Sequence, residues 1–348
     1  METTDVFVLG LGPAGASAAA AAAHLGCQVI ALDRKREPGV PVQCAEFVPA
    51  LIGVEVGDLA GSVRQRIETM TTFVEDDTPD LEPNFPGHVL DRAVFDAALV
   101  AKAVQAGAHC SFSSAVRKVT RAGVIEVSDG RKIRPGIIVG ADGPRSIAGK
   151  AIGCINTELV ETRQITVPLL KLHAATDIFL SAGIPGGYGW LFPKQEVANL
   201  GAGVHPAAKL QLKDIVNRLH SDLVIQGRVG QEVAVATGGA IPVGCMLRTW
   251  GTLGNTLVLL AGDAAGLANP VTGAGIAAAV HSGRLAGEAA SRFVAEGCRV
   301  ALAYQEELED LFKSALEHAL RRRRELLNAI PGKAALRRGW IAYPEYWQ

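Results

Sequence analysis

The sequence has no metal, disulfide or charge framework to read. Its six cysteines, Cys27, Cys44, Cys110, Cys154, Cys245 and Cys298, form no C-x-x-C pair and no zinc spacing, so they read as reduced thiols of a cytosolic chain. Neither sign of charge is in excess: the formal net is −1, so no global field draws in nucleic acid or an acidic partner. Long apolar runs are missing as well. Each such stretch is broken by Gly, Asp or Pro, which excludes a bilayer-spanning helix and leaves peripheral membrane contact open. No charged segment precedes a short apolar one in the manner of a secretory signal. G-x-S-x-G, H-E-x-x-H and G-x-x-x-x-G-K are all absent, which removes the hydrolase elbow, the zinc-protease helix and the triphosphatase phosphate loop. His173, His205 and His281 stand at no metal or triad spacing and are expected at the surface or satisfied in place. Aromatic residues make up 5% and hydrophobic residues 49%, a balance that suits a buried α/β core of Ala, Val, Leu and Gly.

What is present concentrates at the start. Residues 5–9 are a short apolar run ended by glycine, the texture of a buried strand. Gly10-Leu11-Gly12-Pro13-Ala14-Gly15 follows, then an alanine-rich helix over 16–25 and a second apolar run, 27–32, that ends on Asp33 and Arg34. Gly10 permits a tight turn, Gly12 lets the backbone approach a pyrophosphate, and Gly15 lets helix and strand pack closely. The helix start offers free N–H groups and a positive dipole end to phosphates, and Asp33 is spaced to accept ribose hydroxyls. A bare G-x-G-x-x-G also makes ordinary turns. Here strand, helix and acid are all in place, and the stretch reads as a dinucleotide-binding unit.

Further on, residues 65–75 alternate like one half-buried strand, and 90–106 read as a helix capped by Asp91 and ended before Gly107. Strands are expected over 111–119, 123–128 and 133–139, with Asp129-Gly130 as a hairpin turn. From about 158 the texture changes to strands without intervening helices, at 164–170, 176–180, 188–192 and 198–204, then a helix over 207–221 and a strand near 232–236. That is an antiparallel layer, unlike the opening βαβ unit. Buried-strand texture returns at 256–261, followed by Gly262-Asp263 and a small-residue helix over 273–290. An amphipathic helix over 300–328 and an aromatic end over 340–347 follow.

Three motifs in this order resemble those of the FAD-dependent oxidoreductases related to aromatic hydroxylases. They are the opening glycine motif with Asp33, Ala141-Asp142-Gly143, and Gly262-Asp263 leading to Pro270 and Gly273-Ala274-Gly275-Ile276. Two more resemble the geranylgeranyl-reductase family within that group: Pro41-Val42-Gln43-Cys44-Ala45-Glu46, and Pro185-Gly186-Gly187-Tyr188-Gly189-Trp190-Leu191-Phe192-Pro193. Ala45 departs from the glycine usual in the family, and the region after 300 is shorter than in archaeal lipid reductases. The resemblance covers the chain to about residue 290. It implies an α/β fold: a Rossmann-like FAD-binding domain of the glutathione-reductase and aromatic-hydroxylase type, with an inserted antiparallel β-sheet substrate domain. The FAD-binding domain would take residues 1–64, 85–157 and 250–298, the substrate domain 65–84 and 158–249, and a helical tail 299–348.

For the site, the expectations are these. Gly10, Gly12, Pro13, Ala14, Gly15, Asp33 and Arg34 hold the nucleotide half of FAD, with Asp142 in a loop beside the cofactor. Asp263 accepts hydrogen bonds from the ribityl hydroxyls, and the N–H groups opening at Gly273, Gly275 and Ile276 face the flavin ring, stabilising negative charge on it. Arg92, in the first turn of a helix where a cation gains nothing from the dipole, is expected at the cofactor's phosphates or ring edge; a solvated surface arginine is the plainer reading. By the resemblance Val116 offers backbone groups to the adenine side, while Cys44 and Ala45 line the flavin. A chemical role for the Cys44 thiol stays open, because the neighbouring Glu46 works against a thiolate. Tyr188 and Trp190 alternate on one strand and so share a face, either as core aromatics or as walls of an apolar substrate pocket. Arg321–Arg324, at the end of the tail helix, read as a solvated face or a patch for lipid headgroups. The reaction expected is hydride transfer from reduced FAD to a C=C bond of an apolar or isoprenoid, lipid-like substrate, with NADPH, NADH or ferredoxin as reductant. An aromatic-hydroxylase-type monooxygenase, an electron-transfer flavoprotein and an NAD-binding module are the alternatives. The location expected is cytoplasmic, with membrane association open.

Overall fold

Val, Ile, Leu and Phe at both faces of consecutive strand positions demand cover on both sides, and the first sheet has it. In the computed structural model, which describes residues 1–50, 61–329 and 332–348, this sheet runs in the order β17 (Trp250–Leu253), β18 (Thr256–Leu260), β11 (Lys132–Gly140), β1 (Glu2–Leu9), β2 (Val29–Leu32), β8 (His109–Ser111). All neighbours are parallel except β17 on β18. A hairpin of β10 (Ile125–Val127) with β11 carries β9 (Val116–Val119) at its side. Val6, Phe7, Val8, Ile137, Ile138 and Leu257 to Leu260 are all buried. The expected turn at Asp129-Gly130 joins β10 to β11. Residues 51–60, part of the expected nucleotide domain, lie outside the described residues.

One cover is a helix pair. α1 (Pro13–His24) is mostly alanine because α5 (Ile276–Glu296) lies against its backbone. A Cβ added at Gly283 would sit 2.0 Å from the carbonyl oxygen of Ala14, and one at Gly287 would sit 2.4 Å from that of Ala18. Both helices therefore run in the same direction. The other helices are α2 (Arg92–Gln105), α3 (Ile147–Ala151), α4 (Leu212–Ile225), α6 (Arg299–Leu308), α7 (Ser314–Asn328), α8 (Lys333–Arg338) and α9 (Pro344–Trp347).

The second sheet is ordered β16 (Val235–Pro242), β12 (Leu159–Pro168), β15 (Val197–Val204), β14 (Gly189–Lys194), β13 (Ala175–Leu180), β5 (Thr69–Val74), β6 (Asp80–Glu82). It is antiparallel apart from β5 on β13. Strand alternation splits its residues between two cores. Ile165, Leu191 and Leu200 pack under Leu212, Ile215 and Val216 of α4. Ile178, Trp190 and Phe192 face the other way, towards Leu336, Trp340 and Tyr343 of the tail. A small third sheet, β3 (Phe47–Pro49), β7 (Gly87–Leu90), β4 (Val63–Ile67), adds Val89 and Ile67 to that second core.

Several expected elements change, among them the 111–119 strand, which is β8 and β9 separated by residues 112–115, and the strand near 232–236, which is β16. Residues 65–75 are two strands in different sheets, β4 and β5. The chain turns at Glu68, where the N–H groups of Glu68 and Thr69 both reach the carbonyl of Ala174. The 207–221 helix begins as a 3-10 turn over Pro206–Gln211, because Pro206 opens it and the His205 side chain caps it. Arg321–Arg324 sit inside α7 rather than at its end; Arg321 and Arg324 are exposed but Arg322 and Arg323 are buried, so a solvated face describes only half of the run. The expected histidines are held or packed: His173 by its Nδ1 on the Lys171 carbonyl at 3.0 Å, with Nε2 3.1 Å from Asp177, His205 in its cap, and His281 edge-on to Phe312.

Candidate active site

The carboxyl ends of β1, β11, β18 and β2 open into one crevice, the position where doubly wound sheets take ligands. Gly10 turns there with φ 95°, and its missing Cβ clears the carbonyl of Ala141, 2.4 Å from where that atom would be. Gly15 lies so close to Gly10 that a Cβ would come within 1.8 Å of its carbonyl oxygen. Gly12 differs: among the described residues no atom beyond its chain neighbours lies within 4 Å of an added Cβ. It is the N-cap of α1, has no side-chain cap, and no acid follows in the first turn, so the helix start is left for an anion. Asp33 spends one oxygen on the N–H of Leu11 at 2.8 Å and the other on Lys35 at 2.7 Å, shaping the loop and keeping lone pairs for hydroxyls. Segment 113–116 lies alongside, since the N–H groups of Ser113 and Ser114 reach the carbonyls of Lys35 and Asp33, which brings Val116 near. Arg34 is exposed at the rim.

Asp142 has turned inward. Its carboxylate accepts from Ser146 Oγ and from the N–H of Ile147, both at 2.5 Å, so it caps α3. Burial pushes it up, against those hydrogen bonds. What the Ala141–Gly143 turn gives the crevice is backbone.

Asp263, in the turn Gly262–Ala265 after β18, is the second acid of the crevice. Burial pushes its carboxyl up to about 6, with the Arg92 cation pulling the other way. Beside it, the loop before α5 is folded by Asn269, whose Oδ1 accepts from Val271 at 2.9 Å and Thr272 at 3.0 Å. That leaves Gly275 as an uncapped start of α5 with no acid in its first turn. α5 begins seven residues before Gly283, whereas α1 begins one residue before Ala14. At about 1.5 Å per residue the two helix starts are offset by about 9 Å along a shared direction. Two anion-ready helix ends at that offset, with an open Gly12 and acids at Asp33 and Asp263, fit an elongated dinucleotide.

Arg92 is not a surface arginine. Its guanidinium holds Asp96 in two bonds, 2.9 and 3.1 Å, and also meets the sulfur of Cys44. Burial disfavours the cation, but Asp96 and Cys44 outweigh it and keep Arg92 charged. Glu46 does not oppose the thiol as expected. With φ 70° it swings its carboxylate away, to the N–H of Arg92 (2.9 Å), Lys194 (2.8 Å) and Asn199 (2.7 Å), and presents its own N–H to Cys44 Sγ at 3.3 Å. The loop is further pinned to the second sheet. Gln164 donates to the carbonyl of Cys44 at 3.1 Å and accepts from Trp190 Nε1 at 3.1 Å, and Asn199 donates to the carbonyl of Ala45.

Tyr188 and Trp190 both belong to the second core, edge to face at 5.8 Å. The Tyr188 hydroxyl donates to the carbonyl of Thr272 at 2.5 Å, and burial together with Cys44 holds the phenol above its usual range. Trp190 is buried and Tyr188 half-buried. So the structure brings Cys44, Arg92, Asp263 and Tyr188 to one junction between the crevice and an apolar wall. Glu46, Gln164, Lys194, Asn199 and Asn269 hold that junction; of these only Glu46, as the neighbour of Cys44, stands out in the sequence. Their available signal was a polar residue inside an otherwise apolar strand, at Gln164 and Asn199.

No family model matches the chain. Digeranylgeranylglycerophospholipid reductase 1 of Methanopyrus kandleri is 36% identical over 362 residues, covering 94% of this chain and 90% of that protein. A geranylgeranyl bacteriochlorophyll reductase-like protein of Thermoplasma acidophilum superposes with a TM-score of 0.85 at 24% identity, covering 97% of this chain and 90% of that one. The flavin-dependent brominase Bmp2 shares the fold at a TM-score of 0.72 and 17% identity, covering 94% and 90%.

Proposed function

The chain belongs to the digeranylgeranylglycerophospholipid reductase family of FAD-dependent oxidoreductases, and on that premise we propose that it saturates C=C bonds of an isoprenoid lipid. Bound and reduced FAD supplies the hydride. The observation that carries the reading is the Cys44 loop, pinned between the Arg92–Asp263 side of the crevice and the Tyr188–Trp190 wall. Gly10, Gly12, Pro13, Ala14, Gly15, Asp33, Arg34 and Val116 would hold the adenosine and phosphate half. Asp263 would hold the ribityl chain and the α5 start at Gly275 and Ile276 the flavin ring; Gly273, expected to join them, instead donates its N–H to the Asn269 carbonyl at 2.9 Å and shapes the loop.

Reducing a double bond takes a hydride on one carbon and a proton on the other. We assign the proton to the Cys44 S–H. The thiolate left behind faces the Arg92 guanidinium and the N–H of Glu46 until solvent reprotonates it. Tyr188 keeps its proton on the Thr272 carbonyl and with Trp190 walls the substrate from water. A lipid substrate implies contact with a membrane surface, and no described helix is long and apolar enough to cross one. The electrons are assigned to a diffusible donor, NADPH, NADH or a ferredoxin, since the sequence has no second G-x-G-x-x-G. Reconstituted with FAD, reduced anaerobically with dithionite and given a digeranylgeranylglycerophospholipid, the protein is expected to return lipid heavier by two hydrogens per saturated bond. Unchanged lipid beside persistently reduced flavin would overturn the reading.

A further inference from the structure

Of the four consecutive arginines of α7, three have firm partners. Arg321 meets His318 Nδ1 at 3.0 Å, Arg322 holds the Tyr346 carbonyl at 2.7 Å and Glu325 at 2.8 Å, and Arg324 holds Glu158 at 2.8 Å. Arg323 does not. It is 6% exposed, and among the described residues its one bond is a long 3.5 Å reach from Nη1 to the carbonyl of Pro270. A guanidinium has five N–H donors, and a buried cation without a counter-charge is strongly unfavourable. The acid whose field reaches it, Glu158, is already taken by Arg324.

Arg323 lines a cavity of ≈ 30 Å³, with Leu180, Tyr188, Val271, Leu326 and Trp340 among its walls. By the same measure a single water needs about 10–15 Å³, so the cavity takes two or three oxygen-sized groups. A second donor lines it without a partner. Trp340 is 3% exposed and its Nε1–H has no acceptor among the described residues, while its ring lies 4.7 Å from that of Tyr188. A buried cation and a buried orphan N–H thus line one apolar cavity, of which Tyr188, itself a neighbour of Cys44, is also a wall.

We propose that this cavity is the subsite for the anionic, phosphate-like head group of an amphiphilic substrate, held by Arg323 with Trp340 as second donor. The chemistry follows from the walls. An anion answers the two donors, and the apolar lining favours one that is covalently joined to a hydrocarbon chain over a free ion. The inference rests on the reading of the site as a lipid reductase and names what fixes the lipid's polar end. Arg323 is then a specificity residue, set apart from its three neighbours in the helix by its burial.

The test is equilibrium binding to the oxidised FAD holoenzyme, measured by calorimetry without turnover, so it stands whether or not a double bond is reduced. Three probes are compared: geranylgeranyl phosphate, the neutral alcohol geranylgeraniol, and inorganic phosphate. Wild type is expected to bind the prenyl phosphate at least tenfold more tightly than the alcohol, and inorganic phosphate far more weakly than either. Arg323→Met should bring the two prenyl compounds within about twofold of each other by weakening the phosphate alone, and Arg323→Lys should keep an intermediate preference. Equal affinity for both prenyl compounds in wild type would overturn the proposal, and so would a preference that survives Arg323→Met. Inorganic phosphate binding as tightly as the prenyl phosphate would make this a site for a free anion instead. Should Arg323→Met fail to fold, the wild-type comparison of phosphate with alcohol decides.

Discussion

A single methyl group separates two kinds of glycine in the opening motif. Gly12→Ala adds a Cβ that meets no described atom beyond its chain neighbours, at φ −72°, a conformation alanine adopts freely. Thermal stability of the apoprotein should be unchanged while FAD affinity drops tenfold or more, because the methyl enters the space at the α1 start. A Gly12→Ala protein that retains cofactor like wild type would show that the phosphates sit elsewhere. Asp263 carries a pH signature. Its carboxyl is raised from 3.8 to about 6 in the fold, so the folded state holds the extra proton and stability declines as pH rises through that window. A shift of about two pH units corresponds to at most about 3 kcal/mol. Asp263→Asn should therefore leave the apoprotein more stable than wild type at pH 7 and equal to it below pH 4, read from urea midpoints. Asp263→Ala, which removes the acceptor, should weaken FAD by about tenfold or more, since a hydrogen bond to a charged group is worth about 1.5–3 kcal/mol. Matching midpoints at both pH values would argue against a buried acid there. Cys44→Ser keeps the shape and replaces the acid. FAD should still bind, its absorption spectrum should shift, and turnover should fall by more than affinity does. A mutant identical to wild type in spectrum and turnover would return Cys44 to the role of a small buried side chain.

At the scale of elements, the loop 43–49 is held by polar groups that strand patterns hide. Glu46 is 2% exposed and its pair with Lys194 is largely buried. Glu46→Gln should cost on the order of 3 kcal/mol by stranding that lysine, and adding Lys194→Met should recover much of it. If the double variant is no more stable than the single, the pair is not what anchors the loop. The opening strand, the α1 start and the Asp263 turn were legible because backbone demands fix the residues there: a left-handed turn at Gly10, a contact too close for Cβ at Gly15. The break at Glu68 was not, although the inward phase slips there from Ile67 to Met70, Thr72 and Val74, because which partner each strand finds is a tertiary fact. Arg321–Arg324 misled for a related reason. A run of charge looks solvated until the helix register turns two of the four inward. Arg92 was found by position, and its i,i+4 partner Asp96 lies at ordinary helical spacing, but Cys44 comes from a loop nearly fifty residues earlier, a juxtaposition no spacing rule predicts.

For the molecule as a whole, the tail closes what the insert leaves open. Leu336, Trp340 and Tyr343 complete the core under Trp190, and Lys333 and Arg337 reach Asp77 at 2.6 and 2.8 Å across the β5–β6 turn. The apolar contacts carry that docking, since exposed ion pairs contribute little. A chain cut after residue 270 keeps β18 but loses α5 and the tail. It should bind no FAD and should sediment as aggregate, whereas a monomeric, yellow fragment would show that α1 needs no such cover. The seam of α1 on α5 also has a history in time. Its alanine half is made with β1, and its glycine half follows β18, so the stretch from Leu9 to Thr256 must be translated in between. At about 5–20 residues per second that is an interval on the order of 10 to 50 s. Throughout it the nascent chain displays a flat, methyl-lined helix face and a strand edge with no neighbour. Small side chains are what make that wait tolerable: alanine methyls offer a trigger-type chaperone or a stray partner far less to hold than leucines would. The same residues that let two backbones touch in the finished enzyme keep its first helix inconspicuous on the ribosome.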